Sequence, residues 1–399
     1  MSGAQLFAPV WMSGRRRSQF YRPFPPSRHQ NVFSIRLSFD VPLGHVTAFF
    51  LFDVSNAIDL QRLRSEIEAS VSTRLATKPA TPTYLQYQQP PLTLDGAVIG
   101  AGEVNGCRVR FKAFDYGVIS VALTHALPDT WDQLMTVGPQ WQDNPRLAEH
   151  AERLCRDLVT RISAAVSARH EPALSVDYVV FTILADSEGS ADQLIAAHGM
   201  EIARLLRGER ETLSLQERDE VLRQRISYYP TDAVIPTWSS ALVYDTESGI
   251  PGVLEILEFV NSQLLEFRYY DQLLDAELAR TYAALQVDSW RPTWLSRRYS
   301  RAARHIHSLF IDVNELTDRA ENALKVAGDV YAARVFGLAA ARIGLDQWKA
   351  NVRDKLKTVD DIYRFAVEQS SMSRGQFLEL TIVLILVLEL LLIFLGVMK

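Results

Sequence analysis

The stretch VDYVVFTILAD, residues 176–186, decides how the chain is layered. It has strand length and is rich in β-branched and aromatic residues. From Val176 to Leu184 only Asp177 and Thr182 interrupt its apolar character. A strand with one face in water alternates polar and apolar; a near-continuous apolar run predicts a strand covered on both faces. Working outward, VFSIRLSF (32–39) and HVTAFFLFDV (45–54) read as further strands. Residues 59–75 repeat apolar positions at helical spacing. Asn105-Gly106 makes a two-residue hairpin turn, since both positions tolerate positive φ, and Tyr116-Gly117 makes a second turn into VISVAL (118–123). Residues 146–168 predict an amphipathic helix, and helices are expected at about 190–207 and 214–226. DAVIPTWSSALVYD (232–245) then reads as one more strand. Together these predict a mixed α/β globular domain over 33–248, with enough chain to bury a core.

Composition sets outer limits. Asp and Glu exceed Lys and Arg by 47 to 42, a net charge of -5, so the chain as a whole has no nucleic-acid-binding bias. Cys107 and Cys155 form no CxxC pair or disulfide framework, and both read as small core residues. Residues 1–32 lack acids and carry Arg15, Arg16, Arg17, Arg22 and Arg28, with Pro23, Pro25 and Pro26 breaking any helix. They read as a basic disordered tail. The alternative is a transit peptide, which is likewise Arg-rich and acid-poor.

After Pro251 the pattern turns helical. Residues 252–286 read as one long helix, and a second runs from about 299 towards 370. Its seam steps by threes and fours through Ile306, Leu309, Val313 and Leu316, and later through Leu345, Trp348, Val352, Leu356 and Val359. The expected form of 249–375 is a helical hairpin, coiled-coil-like arm. Residues 377–398 are apolar except for Glu379, Thr381 and Glu389. As a helix they span about 33 Å, the thickness of a bilayer's hydrocarbon core, so 376–398 is expected to be a single transmembrane helix. Lys355, Lys357, Arg364 and Arg374 before it favour that side as cytoplasmic. The fold class is therefore α+β: a globular domain, a helical arm and one transmembrane helix.

Four segments in order resemble the required-for-meiotic-nuclear-division family, also called the domain of unknown function 155 family. They are AFDYGVISVAL (113–123), YYPTDAVIPTWSSALVYD (228–245), ILEFVNSQLLEFRYYDQLLDAEL (256–278) and LELTIVLILVLELLLIFLG (378–396). The chain departs from that pattern at Pro236, Ser239 and Ser240. The resemblance implies an oligomeric inner-membrane protein, its mitochondrial members supporting translation; with the basic residues before the span, the bulk of the chain is expected on the cytoplasmic side in a bacterium or the matrix side in a mitochondrion. It carries over no catalytic residues.

No phosphate loop, dinucleotide fingerprint or H-E-x-x-H motif occurs. His305 and His307 are two apart and diverge on a helix, a poor metal pair. No catalytic, cofactor or metal residue is assigned, and the chain is read as a non-enzyme. Glu266, Arg268, Asp271 and Asp275 read as an ion-pair ladder. The segment around 290–304 mixes Trp290, Trp294 and Tyr299 with Arg297, Arg298, Arg301 and Arg304. That mixture suits phosphates and bases, or anionic lipid with aromatics at the headgroups. The expected function is a membrane-anchored, self-associating scaffold with an unidentified protein partner. The alternative is an RNA or ribosome tether at the inner membrane. Glu379 sits near one edge of the span. Glu389 lies near its middle, where a carboxylate costs a few kcal/mol unless neutralised or paired. Glu389 and Gly396 share a helix face and predict a contact between neighbouring anchors.

Overall fold

The structure is a computed structural model describing residues 44–71, 89–104, 106–185, 189–287, 309, 311, 313–315 and 330–394. The expected strand at 32–39 and the 1–32 tail lie outside the described residues.

The elements run β1 (Gly44–Ile58), α1 (Leu60–Val71), β2 (Leu92–Asp95), β3 (Glu103–Val104), β4 (Cys107–Ala113), β5 (Val118–Ala126), α2 (Trp131–Val137), α3 (Pro145–Arg161) and β6 (Val166–Leu184). They continue α4 (Ala191–Arg207), α5 (Leu215–Arg223), β7 (Ala233–Pro236), β8 (Ser240–Asp245), α6 (Ile250–Val287), α7 (Val330–Arg342) and α8 (Leu345–Phe394). The strands form one sheet ordered β2-β4-β5-β1-β6-β8-β7, with β3 pairing β4. The β6–β8 pairing is parallel and the others are antiparallel.

Alternation along the strands splits the interior into two cores. Val46, Ala48, Phe50 and Phe52 of β1 join Val179, Phe181 and Ile183 of β6 beneath α1–α5. Phe49 and Leu51 join Val176, Tyr178 and Val180 on the opposite face, beneath α6–α8. The apolar run of β6 is thus buried on both sides because each face carries a helical layer.

Three local differences from the sequence pattern have physical causes. The helix at 145 ends at Arg161 rather than 168, because residues from Val166 are taken into the sheet, Val166 pairing Ile58 and Ser167 pairing Ala57. The single strand expected at 232–245 is two antiparallel strands. Pro236 closes β7 at the sheet edge, and the buried Thr237 and Ser240 tie the turn, with Thr237 N–H donating to Ser240 O at 2.7 Å. The helix expected to run unbroken towards 370 stops at Arg342, turns at Gly344 with φ +73°, and resumes at Leu345.

The second helix layer also differs from a hairpin arm in one respect. The Val253–Leu265 part of α6 lies against the sheet, so residues after 249 share a core with β1, β5, β6 and β8. Further along, α8 packs on α6 through Leu345, Val352, Leu356 and Val359.

Candidate functional site

Over residues 252–267 helix α6 is buried on nearly every side, yet Glu255, Glu258, Ser262, Glu266 and, just beyond, Tyr269 recur at steps of three and four. That spacing lines them along one face. This face meets polar residues of the sheet, giving a polar seam inside an otherwise apolar layer.

At one end stand Arg110 and Lys112, two apart on β4 and so on one side of the sheet. Lys112 is only 2% exposed and Glu258 only 1%. Lys112 Nζ lies 2.7 Å from Glu255 Oε2 and 2.5 Å from Glu258 Oε2, and Arg110 Nη2 lies 3.5 Å from Glu258 Oε2. Two cations face two carboxylates, so the group is neutral as a whole. Burial pushes the Glu258 carboxyl up, but Lys112 and then Arg110 outweigh it, so the carboxyl is held below its ordinary value. Arg110 also borders an open cleft of about 680 Å³ that includes Arg108, Thr47, Thr93, Thr124 and Thr182. Guanidinium and hydroxyl groups there can hold a polar ligand.

Further along the seam, Ser262 Oγ donates to Phe259 O at 2.7 Å. Its proton being committed, the 2.6 Å contact with Tyr116 has the phenol as donor. Burial, with Glu266 and Asp115, holds the Tyr116 phenol well above its ordinary value, so the donor stays protonated.

At the far end the β1–β6 register shifts between Asp53 and Ser55, bringing Asp53 beside His170. His170 Nδ1 lies 3.0 Å from Asp53 Oδ1 and Nε2 lies 2.6 Å from Asn56 Oδ1, while the ring stacks on Tyr269 at 4.3 Å. Burial raises the Asp53 carboxyl and His170 opposes the rise without cancelling it. Both imidazole nitrogens face side-chain oxygens. The pair fixes the bulge and the helix above it.

The sequence-assigned residues fall elsewhere. Glu389 lies in α8 with an exposed side chain, and Glu379 lies in the same helix. Gly396, Trp294, Arg297, Arg298, Arg301 and Arg304 lie outside the described residues. Arg268 does not bridge to Asp271. It sits over the Trp348 ring at 5.8 Å, while Lys355 of α8 reaches Asp271 at 2.8 Å and Asp275 at 2.7 Å. The ladder is therefore a joint between α6 and α8. Among the described residues no cluster of His, Cys, Asp and Glu is placed to hold a metal ion. Cys107 and Cys155 are buried and form no disulfide with each other, as small core residues. Among the described residues no helix is long and apolar enough to cross a membrane, and most side chains of 377–398 fall outside them.

Sequence reading missed the seam. Its trace was there: Arg108, Arg110 and Lys112 alternate along a strand, and Glu255 and Glu258 interrupt an apolar helix.

Residues 43–250 match the family model described as the uncharacterized protein MJ0711, N-terminal domain. The uncharacterized protein MJ0711 of Methanocaldococcus jannaschii is 25% identical over 216 residues, 53% of this chain and 65% of the relative. The chain thus spans just under two thirds of that relative's length. No solved structure matches. The matched stretch holds the sheet and α1–α5, so Lys112 and His170 come from the shared domain while Glu255 and Glu258 come from the helix beyond it. The chain belongs to the family of the MJ0711 N-terminal domain.

Proposed function

We propose that this protein is a membrane-anchored, self-associating scaffold without a catalytic role, of the required-for-meiotic-nuclear-division type. The observation that carries the reading is α8. It is one helix of 50 residues, about 75 Å long. Its first turns are buried on α6, at Leu345, Val352, Leu356 and Val359. Towards its other end residues 382–387 are six consecutive large apolar side chains, each 52–66% exposed. Six successive helical residues sweep about 500°, so every side of the helix is apolar there. A one-sided groove cannot cover such a surface; a bilayer can. A helix continuous with the core holds the globular part at the membrane, on the side of Lys355, Lys357 and Arg364. That side is the cytoplasm at a bacterial inner membrane, or the matrix in a mitochondrion.

Membrane fractionation tests this. The full chain is expected to stay with membranes through an alkaline carbonate wash, and a chain lacking 377–398 to be released. Extraction of the full chain by carbonate overturns the reading. Self-association through Glu389 predicts that Glu389→Leu shifts the maltoside-solubilised protein to a smaller species by light scattering; an unchanged mass argues against that contact. The alternative, an RNA or ribosome tether, rests on the aromatic and basic residues of 290–304. It requires that Arg297→Glu, Arg298→Glu and Arg301→Glu together abolish ribosome co-sedimentation, and it fails if they do not.

A further inference from the structure

Away from the seam, at the start of α6, lies a cleft of about 410 Å³ between the turn preceding β7, the end of β8 and α7. Three tyrosines wall it. Tyr228 meets Tyr229 edge-on at 4.8 Å and 82°, and meets Tyr331 at 5.8 Å and 59°. Tyr228 and Tyr229 are 57% and 63% exposed, a large aromatic area to leave in water. Their placement is built rather than incidental. Asp232, 4% exposed, accepts both backbone N–H groups, Tyr228 at 2.7 Å and Tyr229 at 2.7 Å, which fixes the turn that presents the rings.

Two carboxylates complete the lining, Asp232 and Asp245. Asp245 lies against Gly249, where a Cβ would strike its carboxylate, so the glycine lets the chain close over it. Burial raises the Asp245 carboxyl and Asp232 adds to the rise, against a hydrogen bond from Thr246 N–H. Among the described residues lining the cleft there is no lysine, arginine or histidine. The nearby N-terminus of α6 supplies about half a positive charge against two carboxylates, so the cleft repels anions.

We propose that this cleft binds an alkylammonium cation, the positive head lodged against the rings of Tyr228, Tyr229 and Tyr331 that line it and balanced by Asp232 and Asp245. Aromatic faces attract cations through their quadrupole, and a cage of them favours methylated ammonium, which cannot compete for strong hydrogen bonds. The volume suits a small molecule or a lipid headgroup rather than a folded partner.

The test uses the full chain in dodecyl maltoside, with choline as probe and its neutral isostere 3,3-dimethylbutanol as control, read by titration calorimetry. Choline is expected to bind saturably and the isostere at least about tenfold more weakly. Tyr229→Leu and Asp245→Asn are each expected to weaken choline about five- to tenfold, while Tyr229→Phe keeps the ring face and the affinity. Tyr229 is mostly exposed, so its replacement spares the fold. No saturable choline binding, equal binding of the isostere, or wild-type affinity in both Tyr229→Leu and Asp245→Asn overturns the proposal. Dihexanoyl phosphatidylcholine separates the sources. Binding at least tenfold tighter than choline assigns a lipid headgroup, and equal or weaker binding assigns a free amine; either supports the site.

Discussion

Replacing Lys112 by methionine isolates what the buried charges contribute. The substitution keeps an unbranched side chain of similar length and removes the ammonium. Glu255 and Glu258 then remain one helical turn apart, with Arg110 Nη2 at 3.5 Å from Glu258 as the cation left beside them. Breaking a buried ion pair on one side costs about 3–5 kcal/mol, because the surviving charge stays out of water. At about 2–4 °C per kcal/mol for a folded unit of this size, Tm should fall by about 6–20 °C. The pH dependence follows from Glu258. In the wild type its folded value is depressed, so its contribution to stability is present above the ordinary carboxylate value and is lost as pH falls through the depressed one. Without Lys112 the burial effect loses its main opponent and the value moves up. A raised carboxyl favours the folded state at low pH and loses that advantage as pH rises through the folded value. The gap between wild type and variant should therefore be widest near pH 8 and narrow towards pH 5. Adding Glu258→Gln should restore more than half of the loss, since the more deeply buried of the two surviving carboxylates is removed with its partner. Circular-dichroism melts in maltoside at pH 5, 6.5 and 8 measure all of this. A Tm within about 2 °C of wild type at pH 8, or a gap that does not change with pH, would refute the reasoning.

Two further outcomes are expected. Gly117 adopts φ +98° and a Cβ there meets the Ser55 carbonyl, whereas Gly100, at φ +78°, has open space around it. Gly117→Ala should cost about 1–3 kcal/mol or more and Gly100→Ala about 1 kcal/mol, and equal denaturation midpoints would contradict the close approach. His170→Ala leaves Asp53 buried without its side-chain hydrogen-bond partner, raising further a carboxyl that burial already raises. Such a group stabilises the fold below its ordinary value and loses that contribution as pH rises through the folded one. The variant should therefore be destabilised by about 1–3 kcal/mol at pH 7 and by less at pH 5, and a loss independent of pH would assign His170 a packing role alone.

The legible parts of the fold were those set by neighbours in sequence. The strand at 45–54, the helix at 60–71, the turn before Cys107 and the long helix from 250 follow from periodicity and turn chemistry, which act over a few residues. The boundaries that differed were set from a distance. Val166 and Ser167 left the helical pattern because β1 offered them hydrogen-bond partners over a hundred residues away. Similarly, the apolar positions of α6 suit a hairpin partner as well as a sheet face, and the helix meets both.

The same division runs through the sites. Composition and hydropathy alone singled out 377–398 and its two glutamates, because a run of apolar residues needs no partner to be recognised. Lys112 lies 146 residues from Glu258, and Asp53 lies 117 from His170, so no local pattern could pair them. By itself the sequence determined which segments are apolar and several of the places where the chain turns. The tertiary structure decided which charges are buried together, since burial and pairing depend on which faces of distant elements are pressed against each other.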